Sequence, residues 1–183
     1  MAMENKVDSP RILRRQDHRD REDLTQEHPF GDAGQIALAC LFGALWIADT
    51  FVFKYTTFLN GWIPLGFRVV PAALVLGLSA YLARAGLSIV FKEVREKPEV
   101  IRKGVFGVVR HPIYLSEILL YLGLLILSLS LAAAFVWFVA IAFLHRISRY
   151  EERLLLERFG NAYGQYMRDI PMWVPRLSLK TRA

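Results

Sequence analysis

The sequence predicts an all-α, polytopic membrane protein with about four transmembrane helices, the last two a tight hairpin, plus an amphipathic C-terminal helix. Three observations carry that expectation. Hydrophobic residues make up 54% of the chain against 22% charged, with a mean hydropathy of +0.30, a balance richer in apolar residues than a soluble domain. The charges are gathered into blocks that separate apolar runs of helical length. The basic blocks also fall where one side of a bilayer would hold them: residues 1–33 carry six Lys and Arg, 92–111 carry six and 145–183 carry eight. Lys54 is essentially alone in the first intervening loop, and Ser128-Leu129-Ser130 has no basic residue. Basic residues collect on the cytosolic side, so four crossings with both termini in the cytosol satisfy the pattern.

At 183 residues the chain is long enough for one domain. Its net charge of +6 suits lipid headgroups and topology rather than nucleic acid, because the aromatic residues lie inside apolar runs. Cys40 is the sole cysteine, which excludes an intrachain disulfide and a cysteine zinc site. It is expected to pack as a small hydrophobe.

Taken in order, residues 1–33 form a polar arm in which Arg11, Arg14, Arg15, Arg19 and Arg21 alternate with acids. No apolar core follows the first charges, so this is not a secretory signal. The membrane domain is expected over 34–183. Gln35 to Phe53 is the first span, at 19 residues or about 28 Å of helix. Its one charge, Asp49, is expected to pair with Lys54 or Arg68 near the interface, or to serve the membrane-embedded function that a buried acid implies. Asn60 to Pro64 reads as a turn. The second span is placed within Val69–Phe91, with Pro71 near its first turn. A charged connector, Lys92 to Lys103, contains Pro98, which bars a continuous helix.

From Pro112 to Leu144 the only formal charge is Glu117. One helix of those residues would be about 50 Å long against a hydrocarbon core of about 30 Å. A hairpin turning near Ser128-Leu129-Ser130 fits better, its second arm running on past Leu144 into polar sequence. There Ile147, Tyr150, Leu154 and Leu155 share a face, with Arg149, Glu152 and Arg153 elsewhere, the pattern of an interfacial amphipathic helix. Gly160 is a natural stop, and Asn161 is expected to cap a short next turn holding Tyr163 and Tyr166.

The chain is organised around Lys103–Glu117. Pro112 has no N–H to lose at a first helical turn and is pre-set for one. A helix is therefore expected to start there, with Arg110 and His111 just outside it, Tyr114 one turn in and Glu117 deeper. This cluster and the polar tail face the same side, so His111, Tyr114, Glu117, Glu151 and Glu152 can line one pocket for a polar cofactor and a lipophilic substrate. No His-x-x-x-His or His-Glu-x-x-His spacing is present, so no metal is expected. Neither a Gly-x-Ser-x-Gly context nor a dinucleotide-binding glycine motif occurs.

Gly104-x-Phe106-x-x-Val109-Arg110-His111-Pro112-x-Tyr114 resembles the first signature of the isoprenylcysteine carboxyl methyltransferase and phospholipid N-methyltransferase families. Glu151-Glu152-x-x-Leu155-x-x-x-Phe159-Gly160-x-x-Tyr163-x-x-Tyr166 is similar to their second. The closing Ile170-Pro171-x-x-Val174-Pro175 resembles the end of the isoprenylcysteine enzymes. The resemblance implies S-adenosylmethionine as methyl donor, bound within residues 100–176, with His111, Tyr114, Glu151, Glu152 and Arg110 as cofactor-site residues. The acceptor would be lipophilic: a prenylcysteine-like carboxylate oriented by Arg110 or Arg168, or a phospholipid amine deprotonated by Glu117. Phe106 stands where tyrosine is commoner, and Asp169 stands near a place that is basic in the eukaryotic carboxyl methyltransferases.

Two other functions fit parts of the pattern. Membrane sterol reductases share a related Arg-His motif, which would imply NADPH. A small transporter would use Asp49 and Glu117 as ion sites.

Overall fold

The computed structural model describes residues 31–92 and 99–175. Most of the polar arm, Pro98 and the last basic residues lie outside the described residues. Within them every regular element is helical: α1 (Gly31–Ile47), α2 (Leu65–Lys92), α3 (Pro112–Ser128), α4 (Leu131–Phe159) and α5 (Asn161–Asp169). Three stretches are long and apolar enough to cross a bilayer: Ala33–Phe53, Leu65–Phe91 and Leu131–Phe159. The 17 residues of α3 make about 25 Å of helix, just under the hydrocarbon thickness. The chain is thus an all-helical, polytopic membrane protein.

The first span ends differently from a plain helix. After Ile47 the backbone widens into a π-helical stretch, Ala48–Phe53, closed by Lys54 in the left-handed region at φ 56°. That widening turns Asp49 inward. Its carboxylate accepts bonds from the Thr56 N–H at 2.9 Å, from the Thr56 hydroxyl and from the Ser130 hydroxyl at 2.6 Å. The expected pairing with Lys54 or Arg68 is replaced by neutral donors. Arg68 instead gives Nη1 to the Asn60 side chain and the Leu127 carbonyl, each at 2.5 Å. The loop after α1 is thereby sewn to the tip of the α3–α4 hairpin.

That tip lies where the sequence placed it. Leu129 takes a left-handed conformation at φ 50° and closes α3 through its N–H to Leu125. Ser130 caps α4 by accepting from the Ala133 N–H at 3.1 Å. Trp46 Nε1, at 3.1 Å from both the Leu124 carbonyl and the Ser128 hydroxyl, ties α1 to the same corner.

α2 begins at Leu65, four residues before the expected start, so Pro71 lies inside the helix rather than in its first turn. Small residues at Ala72, Ser79 and Gly86 recur every seventh position and are buried against α3. Ser79 donates to the Ser116 carbonyl at 2.6 Å. A Cβ on Gly123 would lie 2.6 Å from Leu76. Small-residue seams of this kind let membrane helices approach closely.

The core between α1, α3 and α4 is Phe42, Tyr121, Ala133, Val136 and Ala140, with Phe42 stacked on Tyr121 at 4.3 Å. Outward-facing positions are apolar, including Phe51, Phe67, Leu74, Phe135 and Phe138, as a lipid-facing surface requires. Cys40 belongs to this outer face, exposed rather than packed as expected.

The 29 residues of α4 span about 43 Å, so one end projects beyond the hydrocarbon. The amphipathic segment is that projection, continuous with the span rather than a separate interfacial helix. Its buried stripe runs Ala140, Leu144, Ile147, Ser148, Glu152. Glu152 therefore lies on the inward face, not away from it. Its partners, described next, explain why. Asn161 is the first residue of α5 and not its cap; Gly160, at φ 53°, occupies that place without a side-chain bond.

Candidate active site

The site is built where the start of α3 meets the projecting end of α4. Gly104 opens a 3-10 turn over Gly104–Gly107 at φ 57°, a region glycine enters without strain. A Cβ on Gly107 would stand 2.9 Å from the Arg102 carbonyl, so the turn also needs glycine there. Val105 and Val109 anchor the turn by burial. His111 caps α3, and Pro112 occupies its first position, as the sequence predicts.

The C-terminal segment is docked onto this turn by backbone and side chain together. Arg110 N–H donates to Pro171 at 2.9 Å and His111 N–H to Met172 at 3.3 Å. The Tyr166 hydroxyl donates to the Phe106 carbonyl at 2.8 Å. Arg102 donates to the Ala162 carbonyl at 2.6 Å, stacks over the Tyr166 ring and lies 3.6 Å from Asp169. Burial pushes the Tyr166 phenol up to about 12, opposed by the nearby guanidinium groups of Arg110 and Arg102. The Tyr163 phenol is raised further, by burial first and by the Glu152 charge second.

Arg110 is the centre of the docking. Its Nε and Nη2 reach the same Glu152 oxygen at 2.8 and 2.7 Å, and its Nη1 reaches the carbonyls of Met167 at 2.9 Å and Ile170 at 2.5 Å. All three guanidinium nitrogens are engaged inside the protein. That leaves the geometry poorly suited to the expected task of orienting a substrate carboxylate.

His111 sits between the twin carboxylates, Nε2 3.4 Å from Glu152 and Nδ1 3.6 Å from Glu151. The Tyr114 ring stacks parallel to the imidazole at 5.6 Å, and its hydroxyl donates to Glu151. Arg110, His111, Tyr114, Glu151 and Glu152 are thus one cluster. Glu117 lies outside that cluster. It shares the face of α3 that carries Tyr114, one turn deeper, where Tyr121 donates to it at 2.5 Å. Arg168 is exposed on α5.

Glu152 is 1% exposed, yet its second oxygen has no partner among the described residues. The same holds for the Ser148 hydroxyl and the Trp173 indole N–H. Neither Ser148 nor Trp173 was singled out from the sequence. Ser148 could have been found as a polar residue one turn before Glu152 on the same stripe; Trp173 left no local signal. Among the described residues no group of three His, Cys, Asp or Glu side chains is placed to hold a metal ion.

A sequence model of phospholipid methyltransferases matches residues 64–162, more than half of the chain and both halves of this cluster. The chain belongs to the phospholipid methyltransferase family. The family is one of methyltransferases, and the match lends no support to the reductase and transporter readings. Among curated proteins, this family member is similar to the cobalt-zinc-cadmium resistance protein CzcN of Cupriavidus metallidurans, with 33% identity over 118 residues. The matched region is 62% of this chain and 54% of that protein, so the chain spans about half the length of the relative. No solved structure matches this phospholipid methyltransferase family chain.

Proposed function

We propose that the protein transfers a methyl group from S-adenosylmethionine to a lipophilic or amphipathic acceptor at the cytosolic face of the membrane, with both termini in the cytosol. The observation that carries this reading is the half-satisfied Glu152 carboxylate beside His111. A buried carboxylate oxygen without a donor is unfavourable by about 1–3 kcal/mol or more, and a cationic ligand group would relieve it. The donor has an α-ammonium and a sulfonium, both suited to carboxylates and aromatic faces. Bound there, it supplies an electrophilic methyl group.

The chain's own part is positioning. Glu152 and Glu151 face the cationic groups, His111 and Tyr114 form a flat wall, and Arg110 fixes Glu152 and the C-terminal segment around them. Displacement disperses charge, so orientation and exclusion of water contribute most of the acceleration.

For the acceptor, a phospholipid amine fits better than a carboxylate. Arg110 is fully engaged, whereas Glu117 lies inside the bundle on the face that leads to Tyr114. An ammonium must release a proton before nitrogen attacks. Glu117 would take that proton and so free the nitrogen lone pair for the methyl group that the donor would supply.

Calorimetry on the intact protein in lipid nanodiscs tests the donor: saturable binding of S-adenosylmethionine is expected, and its absence would end the reading. Labelled donor added to membranes tests the acceptor. Alkali-stable label in the amine lipids is expected, while label released by alkali as methanol identifies a methyl ester instead.

A further inference from the structure

We infer that Ser148 and Trp173, together with Glu152, form the subsite for the amino-acid end of the methyl donor, and that the segment Ile170–Pro175 acts as its strap. The inference rests on the donor assignment above and deepens it.

Ser148 and Glu152 lie one helical turn apart in the buried stripe of α4, 0% and 1% exposed. Trp173 approaches α4 at the same level, its ring edge-on to His145 at 5.6 Å, one turn before Ser148. Its neighbour Met172 is held by the His111 N–H. Buried polar groups are nearly always hydrogen-bonded, so two partnerless atoms one turn apart on α4 and a third on the segment packed against that helix call for an explanation.

Their chemistry narrows it. An indole N–H only donates, an ionised carboxylate only accepts, and a hydroxyl does either. A ligand satisfying all three must present an anionic acceptor and a cationic donor a few ångströms apart. That is the description of an α-amino-acid zwitterion. The ammonium would meet the Glu152 oxygen left free by Arg110, and the carboxylate would meet the Trp173 N–H and the Ser148 hydroxyl. A phosphoethanolamine headgroup also pairs an anion with an ammonium, so the probes that decide between them are donor analogues that keep or lack the amino-acid end.

The strap explains why the C-terminal segment is fastened so heavily. Backbone bonds at Arg110 and His111, and the Arg110 side chain on Met167 and Ile170, fix the residues that flank Trp173. Trp173 therefore reaches the subsite in a fixed pose.

The test compares two probes on the intact protein by calorimetry: S-adenosylhomocysteine, which keeps the amino-acid end, and 5′-methylthioadenosine, which lacks it. Trp173→Phe and Ser148→Ala are expected to weaken S-adenosylhomocysteine about tenfold each and to leave 5′-methylthioadenosine within about twofold. Equal weakening of both probes would overturn the subsite, as would no change in either, the result if buried waters satisfied these atoms. Should the unsubstituted protein bind neither probe nor S-adenosylmethionine, the donor assignment itself falls and takes the subsite with it. Trp173→Tyr, which keeps a polar donor on an aromatic ring, is expected to recover part of the lost affinity; recovery no greater than in Trp173→Phe counts against the hydrogen bond.

Discussion

Arg110 and Glu152, 42 residues apart in the chain, share a single carboxylate oxygen at 2.8 and 2.7 Å with both side chains over nine-tenths buried. This pair joins the two sequence signatures, and the other half of each group sets what else happens there. Arg110 spends its remaining nitrogen on the C-terminal carbonyls. Glu152 keeps its remaining oxygen free of protein donors among the described residues.

Breaking the pair from the arginine side should loosen the C-terminal segment. Removing one member of a buried pair leaves the other charge uncompensated, at about 3–5 kcal/mol. Arg110→Ala is expected to lower the thermal midpoint in nanodiscs and to open residues 161–175 to protease. Arg110→Lys should recover little, because an ammonium cannot contact Glu152 and two carbonyls in the same fork geometry. Unchanged proteolysis in both variants would contradict the clamp.

Changing the cluster on its ligand side should act on binding as well. Glu152→Gln keeps the shape while halving the charge complementarity, and His111→Ala removes the wall between the carboxylates. Each is expected to weaken S-adenosylmethionine by tenfold or more, corresponding to about 1.4 kcal/mol. The measurement is calorimetry, with circular dichroism to confirm helicity. Wild-type affinity in both would remove this cluster from the donor site.

Much of this was legible beforehand, and the reasons are local. Pro112 announces its own helix start, and Ser128-Leu129-Ser130 interrupts an apolar run too long for one crossing. What the sequence hid was the side of α4 that Glu152 occupies. The helical period sets Glu152 apart from the apolar face of Ile147, Tyr150, Leu154 and Leu155 even though the motif places it in the pocket; Arg110 and His111, about 40 residues earlier, make the inward position favourable. Asp49 is the same lesson with neutral partners. Local pattern offered Lys54 and Arg68, but the π-helical widening, invisible in composition, turns the carboxylate to Thr56 and Ser130. The parts that depend on tertiary pairing were hidden because no local period encodes them.

The hairpin tip should report on stability without touching the site. Ser130→Ala removes both the hydroxyl bond to Asp49 and the cap on Ala133. A loss of about 1–3 kcal/mol is expected, read as a lower thermal midpoint, with donor affinity unchanged. A large change in donor affinity would mean that the two ends of the bundle are coupled.

Tyr166 gives a pH signature. Its phenol has a folded-state value of about 12, above the ordinary value near 10. A proton held more tightly in the folded state stabilises it fully below pH 10, and that contribution is lost as pH rises toward 12. Absorbance at 295 nm is expected to show Tyr166 titrating only as the C-terminal segment loosens. Tyr166→Phe should remove that late component and, by deleting the bond to Phe106, lower stability by about 1 kcal/mol. A Tyr166 titration centred near pH 10 with the segment still docked would contradict its burial.

Glu117 separates the two acceptors. If it removes the proton from an amine, Glu117→Gln should leave the donor Kd unchanged and lower turnover by about 10²–10⁴. The residual rate should climb about tenfold per pH unit below the acceptor's own pKa, because solution hydroxide then performs the deprotonation. Loss of the Tyr121 bond would act otherwise: Tyr121→Phe removes the donor to Glu117 and keeps the carboxylate, so its effect should be small and without that pH slope. A carboxylate acceptor is already a nucleophile and needs no base. Full turnover in Glu117→Gln with a flat pH profile would therefore assign the acceptor to the carboxylates and leave Glu117 a partner of Tyr121 alone.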